Sequence, residues 1–314
     1  MLDLGILKLR DSLLDVIRLF FRERKFIEVD TPVLVPYENP DDNVDNVRAV
    51  FKDFSGKRHR FFLHTSPEFF MKRLVWHGCE RIFQICKVFR DGETGDLHNV
   101  EFTMVEWYRV GGNYSDGMEE TESIVKAVFE KGKELGFNPD FSLDFEKMTV
   151  EEAFREFAGV DVFDEDAVKR KVNLDSYEDA FFFLLVDKVE KGLSRINSPV
   201  FLHNYPERFS AMAKVKNGKA ERFELYIKGV EIANGYSELT DYNSYLGKFL
   251  KKGVKAVDKG FLRLLKDRPL PESEGVALGF DRLLMKVAGK ESIKEVIPFT
   301  AAELIGEVSF GKAD

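Results

Sequence analysis

Cysteine is scarce. Cys79 and Cys86 are the only two in 314 residues. Two thiols make neither a disulfide framework nor a metal knuckle, and such sparing use suits a reducing, cytoplasmic setting. Long apolar runs are missing as well. The segment Phe181-Phe182-Phe183-Leu184-Leu185-Val186 is too short to span a bilayer, and charges flank it. It reads as a buried helix. The chain opens without a basic stretch, an apolar core and a cleavage site, so no secretory signal is read. Positive charge is in deficit: 47 Lys and Arg face 55 Asp and Glu, for a net charge of -8. Backbone affinity for nucleic acid comes from Lys and Arg neutralising phosphates. The deficit therefore argues against tRNA or DNA as a default partner, while leaving room for a local basic patch. The five histidines do not cluster, and His98 reads as an ordinary loop residue.

What is present describes a soluble globular chain. It is 44% hydrophobic and 32% charged, which suits one large or two modest domains. Its 30 Phe residues read as core packing. Leu9, Leu13, Val16, Ile17 and Phe20 form a helical stripe, and Lys25 to Pro32 reads as a turn and a short strand. Strands are expected over 81–90 and 101–109, joined as an antiparallel hairpin by the polar DGETGDLHNV. Residues 115–195 read as mostly helical, with Glu119 to Leu135 the clearest helix. Strands are expected again over 199–205 and at 223–232, around Lys228-Gly229. Lys248 to Leu265 reads as one helix, and Gly275 to Gly279 as a strand feeding a helix over 281–288.

Four groups of residues carry possible chemistry. In the hairpin, alternation puts Gln84, Cys86, Val88 and Arg90 on one face, and Phe102, Met104, Glu106 and Tyr108 on one face of its partner strand. Arg, Glu and Tyr on such a face suit either a ligand pocket or a solvated sheet with cross-strand ion pairs. If the segment FELYIKGVEI folds about Ile227-Lys228, Glu224 and Glu231 stand opposite each other. A cation between them would relieve their repulsion, and hard carboxylate oxygens suit Mg²⁺; two exposed surface glutamates is the other reading. Gly279 before a helix whose first turn carries Arg282 offers backbone N–H groups and a guanidinium to a phosphate, although many helices start this way. Ser66-Pro67-Glu68 before Met71-Lys72-Arg73-Leu74 matches ordinary helix capping.

Taken together, these segments resemble the class II aminoacyl-tRNA synthetases, and specifically the lysyl branch. Arg10 to Pro36 is similar to motif 1, the helix and strand of the dimer interface. FRDGETGDLHNVEFTMVEWY is similar to motif 2, and GVALGFDRLLM to motif 3. TSPE and FELYIKGVEIANGYSELTD carry the lysyl character, VFLHNYPERFSAMAK also fits, and the resemblance runs from about residue 10 to 300. Within that branch the chain resembles the short paralogue without an anticodon-binding domain, the elongation factor P β-lysine ligase family. The chain begins only a few residues before motif 1, the hairpin ends in EWYR, and Ala277 stands where the tRNA-charging enzymes carry Gly.

The resemblance implies an α+β fold: one class II catalytic domain over 1–314, mainly antiparallel sheet flanked by helices, with a helical insertion around 115–195. It implies a cytoplasmic homodimer that uses ATP and Mg²⁺. The expected activity activates (R)-β-lysine, or lysine, as an adenylate and transfers it to a lysine side chain of elongation factor P. Arg90 would contact the α-phosphate and the amino-acid carboxylate, and Arg282 the γ-phosphate. Asn99 and Phe102 would hold ATP, with Glu93, Ile232 and Gly279 also at the nucleotide. Glu224 and Glu231 would hold Mg²⁺. Glu238 and Tyr108 would bind the substrate's terminal ammonium. Ser66, Glu68 and Glu106 would receive its other amino group, Asn234 would sit near its carboxylate, and Ala277 would shape the pocket. One departure stands out: Gly92 occupies the place of the family's adenine-reading Glu, and Glu93 follows it as a possible replacement. A lysyl-tRNA synthetase-like enzyme and a non-catalytic sensor of amino acid or nucleotide are the alternatives.

Overall fold

A computed structural model describes residues 3–41, 44–253 and 256–307. The frame is an eight-stranded sheet. In chain order its strands are β1 (Ile27–Glu28), β2 (Arg81–Phe89), β3 (Glu101–Val110), β4 (Glu146–Thr149), β5 (Val200–His203), β6 (Arg222–Ile227), β7 (Val230–Ser237) and β8 (Ser273–Gly279). Across the sheet they run β1-β2-β3-β8-β7-β6-β5-β4. The inner pairs are antiparallel; only the short outer strands β1 and β4 lie parallel to their neighbours.

Alternation along the strands makes two unlike faces. On the back, Phe83, Val105, Trp107, Phe223, Val276 and Leu278 are buried with α1 (Leu4–Glu23), α3 (Tyr114–Glu134) and α4 (Phe280–Val287). The stripe Ile6, Leu9, Leu13, Ile17, Phe20 and Phe21 seats α1 there, each buried side chain contributing about 1.5–3 kcal/mol. Asn113 caps α3 with a reciprocal capping box, so the long β3 ends cleanly and the chain turns back under the sheet. On the front, α2 (Glu68–Trp76) packs through Phe69, Met71 and Val75 against two helices, Tyr242–Lys252 and Lys259–Asp267.

Several expectations need correction. The single helix expected over 248–265 is those two helices. Gly253 takes a left-handed conformation that ends the first, and Asp258 caps the second. The helical middle contains β4, and its helices include two π-helical stretches, Phe154–Ala158 and Leu185–Glu190. Phe181, Leu184 and Leu185 are buried as expected, but Phe182, Phe183 and Val186 are exposed, because only one side of this helical stretch meets the core. A separate three-stranded sheet (Leu34–Val35, Arg48–Lys52, Arg58–Leu63) falls where the sequence pattern suggests nothing. Among the described residues, no helix is long and apolar enough to cross a membrane.

Candidate active site

The hairpin β6–β7 turns at Lys228-Gly229, both with positive φ, and not at Ile227-Lys228. Glu224 is therefore paired with Asn234, and Glu231 with Tyr226; the two glutamates are not opposite each other. A register shift at Leu225/Tyr226 makes a bulge on β7. Bulges re-aim side chains, and here Glu231, Ile232, Ala233 and Asn234 all border the same space.

That space is a cavity of about 500 Å³ on the front of the sheet, within the usual range for a small-molecule site. Every candidate residue borders it: Ser66, Glu68, Arg90, Glu93, Asn99, Phe102, Glu106, Tyr108, Glu224, Glu231, Ile232, Asn234, Glu238, Ala277, Gly279 and Arg282. Their placement follows from register. Gln84, Glu106, Ala277, Asn234 and Glu224 are direct partners across β2, β3, β8, β7 and β6, forming one row over five strands. Ile82, Tyr108, Gly275, Tyr236 and Arg222 form the next row.

At one end of the cavity the groups are cationic. Arg282 Nη1 donates to Glu231 O at 3.1 Å, Nε to Leu97 O at 3.1 Å, and Nη2 lies 2.6 Å from His98 Nε2. Burial, then the Arg282 charge, pushes the His98 pKa down, so the ring accepts this contact as a neutral base. His98 is thus part of the cavity wall and more than a plain loop residue. Asp281 fixes the start of α4: it accepts from Arg10 and, at 2.6 Å, from Thr103 N. Arg90 lies over the Phe102 ring, 5.2 Å from its centroid, and its Nε is buried with no hydrogen-bond partner among the described residues. Glu93 is 3.6 Å from Arg90. Asn99 donates to Glu101 O and accepts from Ala301 N, so it ties down the C-terminal helix Ala301–Glu307 as well as facing the cavity.

The carboxylate pair is built unequally. Glu224 is clamped by Arg222 at 2.5 Å, Tyr205 Oη at 2.5 Å and Tyr226 Oη at 2.6 Å. Glu231 keeps 37% of its side-chain surface open to the cavity and lies 3.9 Å from Arg282. Burial, then the Glu224 charge, raises the Glu231 pKa well above the usual carboxylate value. Among the described residues no three His, Cys, Asp or Glu converge as a metal cage. A pair of carboxylates fits Mg²⁺ nonetheless, because this ion commonly takes one or two protein oxygens and completes its shell with water and phosphate.

At the other end the groups are acidic. Ser66 Oγ donates to Glu106 Oε2 at 2.6 Å, and Tyr108 Oη to Glu106 Oε1 at 2.7 Å. Burial, then the charge of Glu68, lifts Glu106 to about 7. Glu238 is fully buried, and burial outweighs the help of Lys72 to lift it to about 8. Asn234 Oδ1 is buried without a hydrogen-bond partner among the described residues.

Residues 4–303 match the family described as tRNA synthetases class II (D, K and N). The chain belongs to this family. A protein of Aquifex aeolicus named elongation factor P--(R)-beta-lysine ligase homolog is 39% identical over 294 residues, covering 90% of this chain and 95% of that protein. The elongation factor P--(R)-beta-lysine ligase of Avibacterium paragallinarum is 34% identical, covering 93% and 94%. The lysine--tRNA ligase 2 of Methanosarcina mazei is 34% identical, covering 94% of this chain and 62% of that protein. The chain is an ATP-dependent, AMP-forming ligase of the class II synthetase type.

Sequence reasoning missed several residues of this class II ligase. Arg222, Tyr205 and Tyr226 orient Glu224: alternation along β6 was the available signal for Arg222 and Tyr226, whereas Tyr205 arrives from outside that strand. Lys72 is different. Its Nζ is 2.5 Å from Glu68 Oε1 and 2.6 Å from Glu238 Oε2, with no exposed surface. The spacing of Glu68 and Lys72, one helical turn apart, was the available signal.

Proposed function

We propose that this ligase activates (R)-β-lysine, or lysine, with ATP and transfers it to a lysine side chain of elongation factor P. The relatives' names supply the substrate and acceptor classes. The observation that carries the reading is one cavity in which Arg90 and Arg282 share space with Glu68, Glu106 and Glu238. Arginines suit the triphosphate and the amino-acid carboxylate; three carboxylates suit a ligand with two ammonium groups.

In the first step the substrate carboxylate attacks the α-phosphorus and pyrophosphate leaves. Arg90 holds the carboxylate and α-phosphate in line, Phe102 stacks on adenine, Asn99, Ile232 and Gly279 line the nucleotide site, and Arg282 holds the γ-phosphate. Glu224 and Glu231 would hold Mg²⁺, which when bound neutralises phosphate charge. In the second step the acceptor amine attacks the adenylate carbonyl and AMP leaves. Ser66, Glu68, Glu106, Tyr108 and Glu238 receive the two ammonium groups, Asn234 faces the carboxylate end, and Glu93 lies near adenine. No covalent protein intermediate is required. The net charge of -8 disfavours tRNA as the acceptor. We take the working form to be a cytoplasmic homodimer of a single catalytic domain with its helical insertion.

The test is incubation with ATP, Mg²⁺ and α- or β-lysine, then addition of elongation factor P or tRNA. The expected result is pyrophosphate exchange and a mass gain on the factor equal to one lysyl group. Charged tRNA with no gain on the factor would establish the lysyl-tRNA synthetase reading instead. No exchange with either isomer would leave a non-catalytic sensor. Ala277 lies between Glu106 and Asn234 in its row, so Ala277→Gly is expected to shift selectivity towards α-lysine, read as the ratio of kcat/KM for the two isomers.

A further inference from the structure

We propose that Lys72 is a specificity-determining residue: a built-in counter-ion that sets the charge of the acidic pocket to match a ligand with two ammonium groups. The inference rests on the reading of that pocket as a diamine site. Lys72 sits on α2, one turn after Glu68, and is the only cation in contact with either Glu68 or Glu238 among the described residues. Its ammonium also lies 5.3, 5.6 and 6.0 Å from the ring centroids of Tyr245, Tyr236 and Tyr108, an aromatic and carboxylate cage of the kind that holds ammonium groups.

Nothing in the packing of α2 asks for a charge here. A methionine would fill the same volume, and replacing a whole buried ion pair by apolar groups is often neutral or stabilising, although removing the lysine alone leaves its carboxylate partners unpaired. The reason lies in the cavity. When they ionise around a bound ligand, Glu68, Glu106 and Glu238 supply three negative charges, and Lys72 cancels one. The remaining two equal the charge of two substrate ammonium groups, while the substrate carboxylate is left to Arg90 at the other end. Glu238 Oε1, buried with no hydrogen-bond partner among the described residues, is the atom left to meet the ligand. Gly275 leaves room for it, since a Cβ there would lie 2.1 Å from that oxygen.

A charge balance predicts rescue where a packing role predicts further damage. Binding of α-lysine, β-lysine and norleucine is measured by calorimetry for the unaltered protein, Glu238→Gln, Lys72→Met and the double variant, with far-UV dichroism and thermal unfolding as checks on folding. Glu238→Gln leaves the pocket one negative charge short and is expected to weaken lysine binding at least 10-fold. Adding Lys72→Met restores the balance and is expected to regain at least 5-fold of that loss. Norleucine, with a single ammonium, is not expected to follow this pattern. The comparison of Glu238→Gln with the double variant stands even where Lys72→Met alone does not fold. A double variant that binds lysine no tighter than Glu238→Gln overturns the role of Lys72 and leaves the pocket reading intact. Failure of the unaltered protein to bind either lysine isomer overturns the pocket reading and this inference with it.

Discussion

Glu106 and Glu238 carry an electrostatic load that has a visible pH signature. Both are lifted from ordinary carboxylate values, to about 7 and about 8, chiefly by burial. The folded chain thus holds protons that the unfolded chain has released above about pH 4.5. Their contribution to stability is fully present below that value and is lost as pH rises through 7 to 8. The empty protein is expected to show a falling Tm between pH 5 and 8 in a thermal-shift series, and Glu106→Gln to flatten part of that fall. Ligand ammonium groups need the ionised carboxylates, so affinity for lysine is expected to rise over the same interval. Arg282, held to Leu97 O and Glu231 O, is expected to matter to the chemistry more than to the fold. Arg282→Ala should slow pyrophosphate exchange by about 10²–10³-fold, the usual loss when one group that stabilises transition-state charge is removed, with Tm close to unchanged.

At the scale of the element, a sheet row is a ruler, and the cavity is marked out along it. Gly275 stands between Tyr108 and Tyr236 in one such row. A Cβ there would meet the Tyr108 ring at 2.5 Å as well as Glu238. Gly275→Ala is expected to cost about 1–3 kcal/mol by overpacking and to weaken lysine binding at least 10-fold, measured by urea unfolding and calorimetry. Much of this frame was legible in the sequence. The hairpin strands end within a residue of their expected limits, because polar alternation and a glycine-bearing loop mark both ends. The β6–β7 register was not legible. Ile227-Lys228 and Lys228-Gly229 are both plausible turns on composition, and only the positive φ at Lys228 and Gly229 decides between them. The bulge beyond it depends on pairing with both neighbouring strands, which no local pattern contains. Lys72 was hidden for a similar reason: a Glu–Lys pair one turn apart reads as an exposed surface pair until β7 brings Glu238 to it.

Across the whole molecule, exposed apolar side chains are scattered along the chain from Leu4 to Ile305. Leu19 on α1 and Ile27 on β1 are among them, in the segment similar to motif 1. Singly exposed apolar residues need no explanation; the resemblance to motif 1 is what singles out this segment for the proposed dimer contact. The proposed homodimer is expected to sediment at twice the chain mass, and a double Leu19→Glu and Ile27→Glu substitution to give monomers in analytical ultracentrifugation. Net charge on this scale is no guide to the site, since Arg90 and Arg282 are two among 47 basic residues.

An enzyme proposed to acylate lysine amines carries a fully buried lysine behind two carboxylates of its own cavity. Only a neutral amine attacks an activated carbonyl. Burial would favour that neutral form in Lys72, but Glu238 and Glu68 outweigh it and hold the group protonated well above the ordinary lysine range. The same contacts that anchor this side chain therefore silence it as a nucleophile, and the catalyst is spared from becoming its own acceptor.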